Sequence, residues 1–260
     1  LFVTAFRIGP TEAFAGFRHG FGVLKTALFL QLALPLIAIA VMVLIGILNT
    51  TFGIAILLML AAPSVTATPN ITILLGYDPE PAFRLFIVGT AILPLTIIPI
   101  FWLSPNLGDL SGALAAAVRL LAAIWCAVIA AFILRKLIMP VLNMLQTKSI
   151  DGFTSLVLAV VVVGLMSAVA PALRADPYLV LGWMTVAVFA NLGSQIVAYI
   201  VLLKLGWNNL AVPFAVVAGN RNFALFLIAL PAAITDPLLI FLGCYQLPMY
   251  LTALVMRPVF

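Results

Sequence analysis

The chain has 260 residues, 66% of them hydrophobic and 7% charged, with mean hydropathy +1.33 and a net charge of +5. That composition excludes a water-soluble domain. The positive charge follows loop position instead of forming a basic stripe, which gives no footing for a nucleic-acid partner, and Cys126 and Cys244 read as small apolar packing residues inside spans.

Residues 1–9 (LFVTAFRIG) read as the last turns of a helix, with no signal-peptide pattern. The expectation is a chain lacking one or two upstream spans. Apolar runs follow over Ala27–Leu48, Ala82–Leu103, Ala113–Leu134, Phe153–Leu173, Tyr178–Leu203 and Pro237–Met256. Each has roughly the 20 residues that cross a bilayer as a helix. No β-barrel alternation is visible. With the loop Gly9–Lys25 on the cytoplasmic side and one crossing per span, Arg7, Arg18, Lys25, Arg135, Lys136, Lys148, Lys204 and Arg257 fall inside and Arg174 outside. This is the positive-inside bias of an integral membrane protein, and the absence of long loops makes a bacterial inner membrane the expected location.

Two further segments have the length of a span but are interrupted. Thr51–Gly76 is broken by PSVTATPN (Pro63 to Asn70), where two prolines each remove a backbone donor. Leu210–Leu230 is broken at GNRN (Gly219 to Asn222), where glycine and asparagine favour local bonds over the helix. Broken backbone at bilayer depth is tolerated where it is buried in protein or lines a cavity, and a pair of such breaks points to a transporter site. After each break the chain repeats a spacing of glycine and Leu-Pro: FIVGTAILPL (Phe86 to Leu95) and IFLGCYQLPM (Ile240 to Met249). On the span count the copies run in opposite directions, which makes the expected fold an all-α bundle of inverted repeats.

These residues, together with FLQLALP (Phe29 to Pro35), APSVTATPN (Ala62 to Asn70) and GNRN, resemble the bile acid:sodium symporter family in its broad bacterial sense, over almost the whole chain. The resemblance implies inverted five-helix repeats, a panel and a core domain, and two broken helices crossing near the midplane. Its boundaries are residues 1–48 for the first panel part, a truncated first repeat; 49–111 for the first core part; 112–138 for a core or linking span; 139–206 for the second panel part; and 207–260 for the second core part. Family cargoes are organic anions.

The sodium site of the family is altered in this chain. Its glutamate two residues before the second-motif glycine is Val217, and its glutamine two residues after is Arg221. Its Ser-Asn pair is Thr68-Pro69, with Asn70 one place on. Ligands on the following helix fall near Phe83–Arg84 and Ile87–Val88, and Gln31 alone matches plainly. The seven acids, Glu12, Asp78, Glu80, Asp109, Asp151, Asp176 and Asp236, all lie in loops or span ends. The lone histidine, His19, reads as a loop residue. Buried sodium usually takes a carboxylate among its oxygens, and proton relays need an intramembrane acid or histidine.

The resulting expectation is an anion site made by Arg221, Asn220, Asn222, Thr66, Thr68, Asn70, Gln31 and Arg84, with no resident metal or cofactor. An arginine in the place of a bound cation offers bidentate contact to a carboxylate or sulfate. Arg221 also reads as a strut that neutralises broken-helix carbonyls, or as a gate. Arg84 also reads as an interfacial residue near Asp78 and Glu80, Arg119 as an outer anchor, and Trp102, Trp183 and Trp207 as interfacial aromatics. Asn191 and Gln195 either bond between helices or face the site. The function is then secondary transport of a small organic anion by alternating access without sodium. One alternative is a sodium-coupled symporter holding Na+ by Gln31, Thr68, Asn70 and Asn220. Another is a membrane receptor or scaffold. No catalytic motif and no intramembrane acid pair supports an enzyme. Oligomeric state is left open.

Overall fold

The computed structural model describes residues 1–15, 20–107 and 109–260. Among them the chain is helical, with a single isolated antiparallel bridge, Ser64 to Arg221. Arg18 and His19 lie outside the described residues.

Helix α1 (Phe2–Ala15) is kinked at Gly9, whose φ of 77° suits glycine, before Pro10 restarts the helix. Helix α2 is an α-helix over Gly20–Leu28, widens to a π-turn over Phe29–Ala33 and continues over Leu34–Leu44. Gly46, at φ 75°, turns the chain into α3 (Thr51–Ala61). Extended backbone then leads to α4 (Thr68–Leu74) and α5 (Glu80–Trp102). Helices α6 (Leu110–Ile138), α7 (Met144–Leu165) and α8 (Val169–Ala175) follow. Helix α9 repeats the form of α2: Pro177–Val188, a π-turn over Phe189–Gly193, then Ser194–Lys204. Gly206, at φ 77°, leads into α10 (Asn208–Gly219). A second break precedes a 3-10 turn (Phe223–Leu225) and the short α11 (Phe226–Ala229). The chain ends with α12 (Ala232–Thr235) and α13 (Leu239–Val255).

Six helices among the described residues are long and apolar enough to cross a membrane, each overlapping one of the expected runs. Contacts between loops agree with the alternating topology. At one end Arg7 pairs with Asp151, Arg135 donates to the carbonyls of Phe6 and Arg7, and Tyr77 donates to the carbonyl of Phe260. At the other, Asn106 donates to the carbonyl of Asn49. Helix α6 is 29 residues long, about 43 Å at 1.5 Å per residue. It therefore overshoots a hydrocarbon core of roughly 30 Å, and its terminal Arg135 and Lys136 fall at the headgroup level. Helix α7 has no buried residue, as suits an apolar helix facing lipid.

The core lies around the two interrupted segments. Helix α2 packs on α3 and α5, and α9 packs on α10 and α13. Helix α1 packs on α6 and α7, while α6 also meets α5 and α11. Small residues allow the closest approaches. A Cβ on Gly243 would come within 2.4 Å of Val169, and one on Gly89 within 2.8 Å of Gln31 Oε1.

Two expectations are corrected in detail. The first break is shorter than Pro63 to Asn70, because Thr68, Pro69 and Asn70 already belong to α4. Proline fits the first turn, where its missing N–H has no helical partner to lose. Trp183 is not an interfacial aromatic. It is partly buried against Phe241, ring centroids 5.4 Å apart, whereas Trp102 and Trp207 are exposed.

Candidate functional site

Both breaks have local causes. Pro63 disfavours helical backbone at the preceding residue, and Ala62 accordingly has ψ 151°. In the second segment Asn220 turns its own side chain back, its Nδ2 donating to the carbonyl of Val216 at 2.9 Å. The backbone leaves the helix there with ψ 85°.

The two extended pieces then meet. Val65 N donates to Asn220 O at 3.0 Å and Asn222 N donates to Pro63 O at 2.8 Å. Ser64 and Arg221 are thus a non-hydrogen-bonded antiparallel pair, with side chains on one face. Each bond satisfies groups freed by the opposite break, which would otherwise cost about 1–3 kcal/mol apiece.

Arg221 completes this knot. It is 2% exposed. Its Nε donates to Ala218 O at 2.9 Å, on the last turn of α10, and its Nη1 to Ala62 O at 3.0 Å, at the end of α3. A cation at two helix C-termini is placed where both dipoles favour it. Its Nη2, itself sealed in protein, has no partner among the described residues. Among the described residues Arg221 has no ion pair, since Arg7–Asp151 and Arg84–Glu80 are the pairs formed there.

Behind the bridge, Asn220 is fully buried in a polar network. Asn191 Nδ2 donates to Gly219 O at 2.7 Å and to Asn220 Oδ1 at 3.2 Å. Gln195 Nε2 donates to Asn191 Oδ1 and to Thr252 Oγ1, and Thr252 donates to Asn220 Oδ1. Tyr245 donates its hydroxyl to Gly219 O. Asn191 and Gln195 therefore support the crossing and do not line the cavities described below.

A cavity of about 440 Å³ opens beside the bridge, with Arg221, Asn222, Thr66 and Gln246 among otherwise mainly apolar walls such as Leu120, Leu158 and Met249. A second cavity, of about 310 Å³, shares Thr4, Thr66, Thr154 and Leu158 with it. It runs towards the end that holds Arg7, Asp151 and Glu80, and Asn70 lines it.

The structure thus gathers Arg221, Asn222 and Thr66 at one cavity, with Asn70 in the adjoining one. It does not gather the rest. Gln31 is buried against α5, donating to Gly89 O at 3.2 Å, with its Oε1 unpaired. Thr68 accepts from Ser64 Oγ at 2.6 Å in a sealed pocket of α4. Arg84 turns to Glu80 one turn away, an interfacial pair. The side-chain oxygens of Gln31, Thr68, Asn70 and Asn220 share no hydrogen-bond partner among the described residues. No group of three or more His, Cys, Asp or Glu suited to a metal occurs among the described residues. Gln246, Tyr245 and Thr252 were missed by the sequence reading. Their sole signal was the position of α13 after the second break. The chain matches no protein-family model and no curated protein.

Proposed function

We propose that the chain is the carrier of a small organic anion of the carboxylate or sulfate type, moving it by alternating access without sodium. The observation that carries this reading is Arg221: a buried guanidinium without a carboxylate partner among the described residues, set behind the wall of a cavity at a helix crossing, so that its charge reaches the cavity as a field. The two helix C-termini compensate this buried charge only in part, and an anionic ligand nearby offsets the remaining cost. Free Thr66 and Asn222 side chains in the wall suit the oxygens of a carboxylate.

The succession of features in the two halves supports inverted repeats related to the bile acid:sodium symporter family. A π-turned helix, a positive-φ glycine, an interrupted helix and a Gly–Leu-Pro helix occur twice in that order. Helices α2 and α9 pack with the interrupted segments, α1 packs with α6 and α7, and α8 packs on α9 and α13. A bacterial inner membrane is the proposed location. The scattered surroundings of Gln31, Thr68, Asn70 and Asn220 weigh against the sodium-coupled alternative.

The test is thermal stability of the purified protein in detergent, in sodium and in choline buffer, with a panel of carboxylates and sulfates. A bound ligand at a hundredfold excess over Kd stabilises by roughly 2.7 kcal/mol. The expected result is a shift with acids that is the same in both buffers and is lost in Arg221→Gln and Asn222→Ala. Asn222 makes no side-chain hydrogen bond among the described residues, so its truncation spares the fold. A sodium-specific shift, or unchanged acid binding in both variants, overturns the proposal.

A further inference from the structure

The polar groups of the crossing cavity are not all suited to an acid. Gln246 of α13 is 5% exposed and forms part of the wall. Its Nε2 donates to Leu242 O, one turn earlier, at 2.9 Å. That bond fixes the orientation of the amide, because the flipped form would set oxygen against oxygen. One of the two N–H donors is spent on that bond, and Oε1 accepts from no described residue. This oxygen is open on the cavity side, whereas the unpaired Nη2 of Arg221 is sealed in protein.

An anion gains nothing from such an oxygen. A purely hydrocarbon body placed against it would displace the water that serves it and leave it stranded. We infer that the cavity selects organic anions that carry a hydroxyl or N–H donor besides the acidic group, and that Gln246 is the residue that reads this donor. The inference rests on the anion site at Arg221. Thr66 and Asn222 hold the acid in the field of Arg221, and Gln246, on a different helix, reads the body of the ligand.

The experiment compares pairs of monocarboxylates differing by one hydroxyl: butanoate, hexanoate and octanoate against their ω-hydroxy forms. Binding is read from thermal shift of the full chain in detergent. In at least one pair the hydroxy acid binds about tenfold more tightly, the ratio set by one satisfied hydrogen bond. Gln246→Met, close in volume, erases that ratio, because no oxygen is then left for the plain acid to strand. Equal binding within all three pairs of the unaltered protein overturns the inference, and so does a preference that survives in Gln246→Met. A shift with neither member of any pair, or with all members equally in Arg221→Gln, overturns the anion site itself and this inference with it.

Discussion

Asn191 and Tyr245 converge on one carbonyl oxygen, that of Gly219, from two different helices. The carbonyl belongs to the end of a broken helix and has lost its helical partner there. Such convergence requires the neighbouring backbone to come close. A Cβ on Gly219 would lie 2.3 Å from Asn191 O and 2.4 Å from Gln195 Cγ. Gly219→Ala is expected to cost about 1–3 kcal/mol through forced displacement. Gly22, with nothing within 4 Å and no positive φ, is the control. Thermal melting in detergent should show a lower midpoint for Gly219→Ala and none for Gly22→Ala.

Arg221→Lys separates charge from geometry. An ammonium on a flexible stem keeps the positive charge but lacks the planar fork that holds Ala62 O and Ala218 O together. Stranding the two carbonyls should cost about 2–5 kcal/mol in stability. The charge-dependent part of anion binding is expected to persist, in contrast to Arg221→Gln. Equal stability of Arg221→Lys and the parent in a denaturation series would show that the fork carries no structural weight.

Arg119 forms no ion pair among the described residues and donates Nη1 to Ala229 O at 3.2 Å. That bond ties α6 to the end of α11 on the side opposite the vestibule lined by Arg7 and Glu80. Arg119→Leu should weaken this closure. In vesicles of fixed orientation, a cysteine at Asn222 is expected to react faster with an impermeant thiol reagent from the outer face when Arg119 is replaced. Identical labelling rates from that face would refute a latch.

Asp109 caps α6. Its Oδ1 accepts from Gly112 N at 2.8 Å and from Ser111 Oγ at 2.7 Å. Those bonds favour the ionised form and hold its carboxyl below the usual carboxylate value. A depressed folded pKa means stabilisation that is complete above the unfolded value and is lost as pH falls through the folded one. Stability should therefore decline on acidification below the ordinary Asp range, and Asp109→Asn should flatten that limb while keeping the cap. A pH–melting profile of both proteins, with the same acid limb in each, would exclude this contribution.

The spans and both interruptions are legible in the sequence because they depend on local chemistry: apolar runs, Pro63, and the Gly219–Asn220 pair. The inward grouping is less so. Thr66 and Thr68 are two residues apart and chemically alike, yet one lines the cavities and the other is sealed against Ser64. Only the change from extended backbone to α4 between them separates their fates. Gln31 and Arg84 fall away from the site for a similar reason. A π-turn aims Gln31 at Gly89, and a neighbouring acid captures Arg84. Gln246 and its neighbour Tyr245 sit in an otherwise apolar stretch, and nothing local tells which of them faces the cavity.

The bridge between Ser64 and Arg221 has a mechanical consequence. Its two backbone hydrogen bonds and the Arg221 strut join α3 with α10 at their broken ends. Neither segment can slide or swing without dragging the other, so the crossing has no internal hinge. Under the proposed alternating access, the cargo travels with this pinned cross as a single solid part. Motion is then left to the seam where the cross and its attached helices glide along α1, α6 and α7, a seam whose largely apolar walls offer few polar bonds to break in passing.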